Sequence, residues 1–529
     1  MSTPILVPGA GSKPLSRFKL LLAAPLLASA VLSACESSRP ADASGNAAAA
    51  TGENRRSLSM TSEVSDSSAT AAAPAGLNVR VTLDGTIEEW PSESAVLADE
   101  HFLYTRLRVK DETFTLQSAD ETTAIWLDAD ADANTGKRVR LSPTTPELGV
   151  DLEVQFSPLD AETKRPGRGT AIFALDNSGA RSPVARSRHD DLAFAPTYAA
   201  NWYEIRLSRH IVSLPQAFPG AGLRSRGGVR GAAVLLDSQG ALAGWSEPFA
   251  ATLPPRSEVP LTLEATLPSA SRGQIRVISY NVERSKPVET PAPFQAVFQA
   301  LKPDAILVQE WNSTPEELQS WFTALVPNNT GWHVVVGPSG VAVVSRFPLQ
   351  TIDTGTRVRV AAAIADTEFG PVGLASLHLK CCGSKDSPED QRRLDEARSV
   401  NAALAKAWND AGVVTRFVGG DLNLVGSRPP LDALRSSLAA PGTIDPDLRV
   451  AEPMVLGDRA MFTWADVPNE FTPGRLDYIL YSGGRVEQTF VLDLSRLSTD
   501  SLASMGFSQA DLKSSDHLPV VVDLTPTLP

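Results

Sequence analysis

Between residues 77 and 255 short apolar runs alternate with polar residues: Val79 to Leu83, Thr123 to Leu127, Val150 to Phe156 and Trp202 to Leu207, separated by turn-rich segments. A period of two predicts strands with one buried face, and this spacing of short runs predicts an all-β sandwich. After the proline-rich stretch Leu253-Pro-Pro-Arg-Ser-Glu-Val-Pro260 the pattern changes. Ile275 to Tyr280, Ala305 to Val308, Val341 to Val344, Val372 to Leu379 and Val413 to Val418 read as strands, mostly buried on both faces. Leu394, Ala397, Val400, Leu404 and Trp408 recur at helical spacing over Asp390 to Trp408. Helices alternating with two-sided strands predict an α/β domain over residues 274–526, with 256–273 as a linker.

The first residues fit neither pattern. Lys13, Arg17 and Lys19 precede an apolar stretch, Leu20 to Leu32, which is shorter than the roughly 20 residues that span a bilayer. It ends in Leu32-Ser-Ala-Cys35, so residues 1–35 read as a cleaved targeting segment. Residues 36–76 are Ala, Ser, Gly and Thr with scattered charges and nothing to bury, the composition of a disordered tether. The tetrapeptide resembles the lipobox of bacterial lipoproteins. That resemblance implies cleavage before Cys35, lipidation of Cys35, and an extracytoplasmic protein held to a bacterial membrane by this anchor alone. The protein is then periplasmic or at the cell surface, and in a Gram-negative cell the resemblance favours the outer membrane, because Glu36 stands where an Asp would retain a lipoprotein at the inner membrane.

Composition narrows the picture. A chain of 529 residues exceeds one ordinary core, and a net charge of −13 excludes a broadly basic nucleic-acid-coating surface. A nuclease with a local positive rim remains allowed, because bound cations offset carboxylates in a cleft. Of three cysteines, Cys381 and Cys382 are neighbours. A trans peptide sets adjacent Cα atoms about 3.8 Å apart, below the usual disulfide range of roughly 4.4 to 6.8 Å, so a vicinal disulfide and a pair of thiols both stay open.

In the first half, Asp128, Asp130 and Asp132 alternate within Trp126-Leu-Asp128-Ala-Asp130-Ala-Asp132-Ala-Asn134-Thr-Gly136. Alternate carboxylates in a tight turn can converge on a structural Ca2+, and a solvated Asx-rich turn is the alternative. An EF-hand is excluded, because Val139 stands where its bidentate Glu belongs and Ala133 where its Gly belongs. Trp90, Trp126 and Trp202 can stack on sugars or fill a core. Together with Asp84-Gly85-Thr-Ile-Glu-Glu-Trp90-Pro91, the acidic segment resembles the family 9-like carbohydrate-binding sandwich modules, which implies a polysaccharide partner.

The second half carries the chemistry. Asn281 and Glu283, Glu310, His378, Asp421 and Asn423, Asp477, and the pair Asp516-His517 all sit at the ends of apolar runs, where sheet edges gather side chains. Gly419-Gly420 is expected to turn the backbone sharply before Asp421. Oxygen-rich ligands suit magnesium, manganese or calcium, and without a His-Glu-x-x-His run or a four-cysteine set no conventional zinc site is expected. The reading is a metal-dependent site that cleaves phosphoesters.

These residues lie in Ile278-Ser-Tyr-Asn281, Pro303-Asp-Ala-Ile-Leu-Val-Gln-Glu310, Val341-Ala-Val-Val-Ser-Arg346, Ser376-Leu-His378, Gly420-Asp-Leu-Asn423, Arg475-Leu-Asp-Tyr478 and Ser515-Asp-His517. The ordered set resembles the endonuclease/exonuclease/phosphatase superfamily over Ile275 to Leu524. It implies a multidomain chain in which the all-β sandwich is followed by a four-layer α/β sandwich of the deoxyribonuclease I-like type. The resemblance assigns Glu310 as main metal ligand, with Asn281 and Asp516 completing the shell and Glu283 at a position often held by Asp. It puts His517 on the scissile phosphate, with Asp477 on its other ring nitrogen. His378 becomes a second donor or general acid, Asp421 the group that orients or deprotonates water, and Asn423 a stabiliser of pentacoordinate phosphorus. Arg346 is expected to support the fold, and Arg392-Arg393 either to touch substrate phosphates or to lie on a solvated helix face.

The implied cofactor is Mg2+, or Mn2+ or Ca2+, and the implied partner is a phosphoester substrate, nucleic acid included. Phe462-Thr-Trp464 ahead of Arg475 resembles the nuclease-like branches, which ranks an extracytoplasmic nuclease or phosphodiesterase first. A phospholipid, sphingomyelin or inositol-phosphate hydrolase comes second. A non-catalytic polysaccharide-binding surface lipoprotein is the alternative of another class.

Overall fold

The computed structural model describes residues 58–59 and 81–527, apart from 92–93, 110–113, 161, 212–213, 215–222, 224–226, 468 and 513. The targeting segment with Cys35 and nearly all of the tether lie outside the described residues.

Residues 81 to 253 form two large antiparallel sheets and a separate two-stranded hairpin, Lys137–Val139 with Leu148–Val150. In one, Phe102–Val109 pairs with Trp202–Ser208, which pairs with Leu192–Ala195, and Val96–Ala98 joins Phe102–Val109. In the other, Gly227–Leu236, Thr122–Asp128, Leu152–Phe156 and Thr170–Leu175 lie side by side. Strand alternation then decides what is buried where. Ile125 and Leu127 face a cluster shared with Leu103, Leu107, Tyr203 and Ile205 of the other sheet. Ala124 and Trp126 face the opposite way, under a cover made by Leu141, Leu148 and Val150. Thr122–Asp128 is therefore buried along its whole length.

The tryptophans are mostly structural. Trp90 and Trp126 are buried, and their indole N–H groups donate to Glu204 at 2.7 Å and Glu153 at 2.8 Å. Trp202 is half-buried, with the guanidinium groups of Arg106 and Arg108 over its ring.

Residues 275 to 526 form helix, sheet, sheet and helix layers. The first sheet runs His333–Val336, Ala342–Ser345, Ala305–Gln309, Ile275–Asn281, Val520–Pro526, Gly484–Val491, Met454–Val455. The second runs Leu349–Thr351, Val360–Thr367, Gly370–His378, Thr415–Asp421, Asp477–Ser482, Arg449–Val450. Phe294, Phe298 and Phe322 of helices Pro291–Leu301 and Pro315–Leu325 pack on the first sheet. Ala397, Val400, Leu404 and Trp408 of helix Pro388–Asp410 pack on the second.

Local signals set these helices. Thr314 accepts from the Glu317 N–H in a capping box ahead of Pro315, and Ser387 accepts from the Asp390 N–H ahead of Pro388.

The segment expected as a linker is docked: Leu263 is buried and bridges to Leu497. The first sheet pair meets the four-layer part through a buried ionic knot, in which Arg206 grips Asp458 at 2.9 and 3.1 Å. Arg496 also pairs with Asp458, and reaches Asp190 at 3.2 Å.

Candidate active site

Register places the second sheet's polar groups in one row. His378 ends its strand opposite Asp421 on the parallel neighbour, and Asp421 stands opposite Asp477 on the antiparallel neighbour. On the facing sheet Asn281 pairs with Gln309, so Asn281 and Glu310 leave at a common end.

The two glycines act differently from the expected sharp turn, since the strand continues through them to Asp421. A Cβ on Gly419 would lie 2.8 Å from Leu307 of the facing sheet, so its absence lets the sheets close. Gly420, at φ +145°, would place a Cβ 1.9 Å from the Leu377 carbonyl oxygen.

Asn281 is the hub of the cluster. Its Nδ2 lies 3.2 Å from Glu310 Oε1, 3.2 Å from Asp421 Oδ2 and 3.4 Å from His517 Nε2. Asp421 Oδ2 is 3.5 Å from His378 Nε2 and 3.7 Å from His517 Nε2, and Glu310 Oε1 is 3.9 Å from His378 Nε2. Behind His517, Asp477 Oδ2 sits 2.8 Å from Nδ1 and accepts from the Thr463 hydroxyl at 2.8 Å. Five expected residues, Asn281, Glu310, His378, Asp421 and His517, thus converge on one point, and Asp477 supports the last of them.

Electrostatics divides the two histidines. Burial by itself would lower the His517 imidazole, but the carboxylates of Asp477 and Asp421 outweigh it and hold it well above its ordinary value. Burial and then the neighbouring Arg359 guanidinium depress His378 to about 2. Burial pushes the Asp421 carboxyl above the usual carboxylate range, with the His517 charge pulling the other way.

The remaining expected residues fall around this centre. Glu283 is tied to Lys286 at 2.5 Å and accepts the Asp516 N–H at 3.0 Å. Its carboxylate therefore braces the Ser515-Asp516-His517 segment and is paired with an ammonium group. Asp516 takes the Trp464 indole N–H at 3.0 Å. Asn423, at φ +49°, donates its N–H to Asp421 Oδ1 at 2.9 Å and its side-chain amide to the Leu379 carbonyl at 3.3 Å.

Arg346 pairs with Asp304 at 2.5 Å beside the first sheet, in keeping with a supporting part. Arg392 is exposed and pairs with Glu396 along its helix. Arg393 departs from both expectations. It is fully buried, donating to the carbonyls of Lys380 and Cys382 at 2.8 Å and to Asp390 at 3.1 Å, because the loop after His378 needs its carbonyls satisfied. In that loop Cys381 and Cys382 are thiols rather than a disulfide, with sulfurs 3.0 Å apart.

Arg359, Thr463 and Lys286 escaped sequence reasoning. Arg359 donates to the Leu379 carbonyl at 2.5 Å and reaches His378, yet it lies 19 residues upstream with no motif around it. Thr463 sits inside Phe462-Thr-Trp464, which marked the segment without marking the hydroxyl.

In the first half, Asp128 and Asp130 do converge, but with Asp151 instead of Asp132. Asp132 turns inward on its own loop, its Oδ1 taking the Asn134 N–H at 2.9 Å and side-chain amide at 2.8 Å.

Residues 278–517 match the endonuclease/exonuclease/phosphatase family. The match supports a phosphoric ester hydrolase domain in the second half of the chain. Among solved structures, a 3′ phosphatase from Neisseria bound to a product DNA hairpin is similar at 17% identity, covering 47% of this chain and 99% of its own, with a TM-score of 0.33. An AP endonuclease from Archaeoglobus fulgidus is 16% identical, covering 47% and 98%, with a TM-score of 0.32. Sphingomyelinase C from Streptomyces griseocarneus is 18% identical, covering 47% and 99%, with a TM-score of 0.33. A search of curated proteins gives no match.

Proposed function

We propose that the protein is a divalent-metal-dependent phosphodiesterase, with nucleic acid as the first-choice substrate class, working by in-line attack of water on phosphorus. The observation that carries this reading is the His517–Asp477 pair standing against Asp421, within reach of Asn281 and Glu310.

The donor set fits a hard cation. Glu310 is partly exposed, and among the described residues its carboxylate receives the Asn281 amide and the Arg284 N–H, with His378 Nε2 at 3.9 Å. Glu310 and Asp516 would hold Mg2+, Mn2+ or Ca2+ through oxygen, and Asn281 would join them only with its amide turned, since its Nδ2 faces Glu310 and its Oδ1 accepts the Glu283 N–H at 3.0 Å. When bound, such an ion neutralises charge on the phosphoryl oxygens.

The chain's own groups then divide the work. Asp421, with its raised affinity for a proton, takes one from the attacking water as the new P–O bond forms and the leaving-group P–O bond breaks, its bonding pair going to the leaving oxygen, which takes a proton from solvent. The His517 cation faces the phosphate, with Asp477 fixing its tautomer. His378 keeps its Nε2–H as a neutral donor to a phosphoryl oxygen, which favours the donor part over the general-acid part expected for it.

Hydrolysis of bis(p-nitrophenyl) phosphate, plasmid DNA, RNA and sphingomyelin, with Mg2+ or EDTA, tests the reading. Metal-dependent cleavage of the diester and nucleic acids, lost in His517→Ala, supports it; cleavage of sphingomyelin alone moves the substrate to lipid, and cleavage of nothing refutes the enzyme.

We further propose, from the lipobox residues alone, that Cys35 carries the lipid that anchors the protein outside the cytoplasm. Mass spectrometry of the mature amino terminus checks this, with an unmodified Cys35 as the contrary result.

A further inference from the structure

A second polar cluster lies in the first half, outside the phosphoesterase site. Asp128 ends the strand Thr122–Asp128, and Asp151 precedes Leu152–Phe156 on the neighbouring strand, where Leu127 pairs with Leu152. Both carboxylates are fully buried. Asp128 Oδ2 accepts the Gly149 N–H at 3.1 Å and the Arg230 guanidinium, and Asp151 Oδ2 accepts the Ala129 N–H at 2.8 Å. The other oxygen of each, Oδ1, is buried with no hydrogen-bond partner among the described residues. Asp130 adds a third carboxylate, steadied by the Thr135 hydroxyl at 3.0 Å and the Asp132 N–H at 2.9 Å. One oxygen from each of the three lies within 4.8 Å of the others.

Buried polar atoms without partners are rare because each forfeits its hydration for nothing in return, and here two belong to carboxylates packed against a third. One guanidinium, on Asp128, does not balance three acids. We propose that Asp128, Asp130 and Asp151 form a cation site that takes Ca2+ and clamps the loop between Asp128 and Gly136 onto the strand end at Val150 and Asp151. The all-oxygen, carboxylate-rich donor set selects a hard divalent ion, and the irregular loop geometry suits calcium better than the strict octahedron of magnesium.

The loop is shaped to close over the site. A Cβ on Gly136, at φ +62°, would lie 2.4 Å from the Val150 carbonyl oxygen and 2.6 Å from Asp151 Oδ1. A Cβ on Gly149 would lie 2.2 Å from the Thr135 carbonyl oxygen and 2.4 Å from that of Asp132. Only glycine permits both approaches. The clamp also bears on the core, since the hairpin of Lys137–Val139 and Leu148–Val150 covers the outer face of Trp126.

Trp126, two residues from Asp128, supplies the readout. The full-length protein is stripped with chelator and titrated with Tb3+, exciting tryptophan and recording terbium emission, then back-titrated with Ca2+. Melting with Ca2+ or with EDTA is recorded in parallel. The expected result is saturable emission displaced by Ca2+, and a melting midpoint several degrees higher with Ca2+, as mass action on the native state requires. Asp151→Asn and Asp130→Asn weaken Ca2+ binding about tenfold or more, because affinity follows ligand charge. Glu310→Gln, in the other half, leaves the signal in place. Absence of Ca2+-displaceable emission from the wild-type protein overturns the proposal, as does a signal that survives Asp130→Asn and disappears in Glu310→Gln. Asp130 is partly exposed, so its variant decides the matter if Asp151→Asn does not fold.

Discussion

Arg359 Nη1 lies 3.0 Å from Nδ1 of His378, and this contact fixes the imidazole's tautomer. A guanidinium has no lone pair to offer, so Nδ1 must accept and Nε2 must carry the proton, directed at Asp421 and Glu310. His517 is the reverse case, its Nδ1 held by the Asp477 carboxylate. Two imidazoles beside one Asp421 therefore hold different charge states: burial and the Arg359 guanidinium keep His378 neutral, while the Asp477 and Asp421 carboxylates outweigh burial and keep His517 cationic.

Arg359→Met removes the guanidinium that, after burial, does most to depress His378. The His378 pKa then rises, so on acidification the ring charges at a higher pH than in the wild type. Turnover of bis(p-nitrophenyl) phosphate is expected to fall by about 10²-fold, within the range of acid-base contributions, and the acid limb of the pH–rate profile to move upward. A profile that falls in height without moving shows that Arg359 serves only the loop carbonyl of Leu379.

Asp477→Asn keeps the shape behind His517 while taking away the charge that raises it. At neutral pH the rate should drop by roughly 10² to 10⁴, with unchanged circular dichroism. His517→Ala should be at least as severe. NMR titration of the ring checks the cause, since its pKa must fall in Asp477→Asn.

Chelation should abolish cleavage, and added Mg2+ or Mn2+ should restore it. In Glu310→Gln the metal concentration for half-maximal rate should rise about tenfold or more, as ligand charge sets the affinity of oxygen sites. Activity that persists in EDTA after dialysis is the contrary result.

The ionic knot of Arg206, Asp458 and Arg496 predicts an acid-sensitive join between the two halves. Burial alone would raise the Asp458 carboxyl, but the two guanidinium groups hold it well below the usual carboxylate range. A depressed native pKa gives stability that is complete above the unfolded value of about 3.9 and lost as pH falls through it toward the native value. Asp458→Asn should cost about 3 to 5 kcal/mol at pH 7, because the buried Arg206 loses its counter-charge and Arg496 is left with Asp190. Urea unfolding at pH 7 and pH 3 checks this, with the gap between variant and wild type narrowing at the lower pH.

Much of the second half was legible along the chain. The runs at Ile275, Ala305 and Val372 became strands, and the helical spacing from Leu394 to Trp408 became the buried face of Pro388–Asp410. Polar groups at strand ends could be listed as a site because a sheet delivers its strand ends to shared edges. Arg393 could not be read this way: its place in a helical pattern says nothing of the loop carbonyls it must satisfy from across a turn. Asp151 was invisible for a similar reason, since its partner Asp128 lies 23 positions away and meets it only through strand pairing.

The order of residues alone determined where strands and helices form and which residue types stand at their ends, because hydrophobic period, caps and prolines act over a few positions. Tertiary structure decided which ends meet. It set Asp421 between His378 and Asp477, brought Arg359 and Thr463 behind the two histidines, and exchanged Asp132 for Asp151. Register, sheet closure and the burial of charge are properties of chain segments far apart in sequence, and only their packing against one another gives them a value.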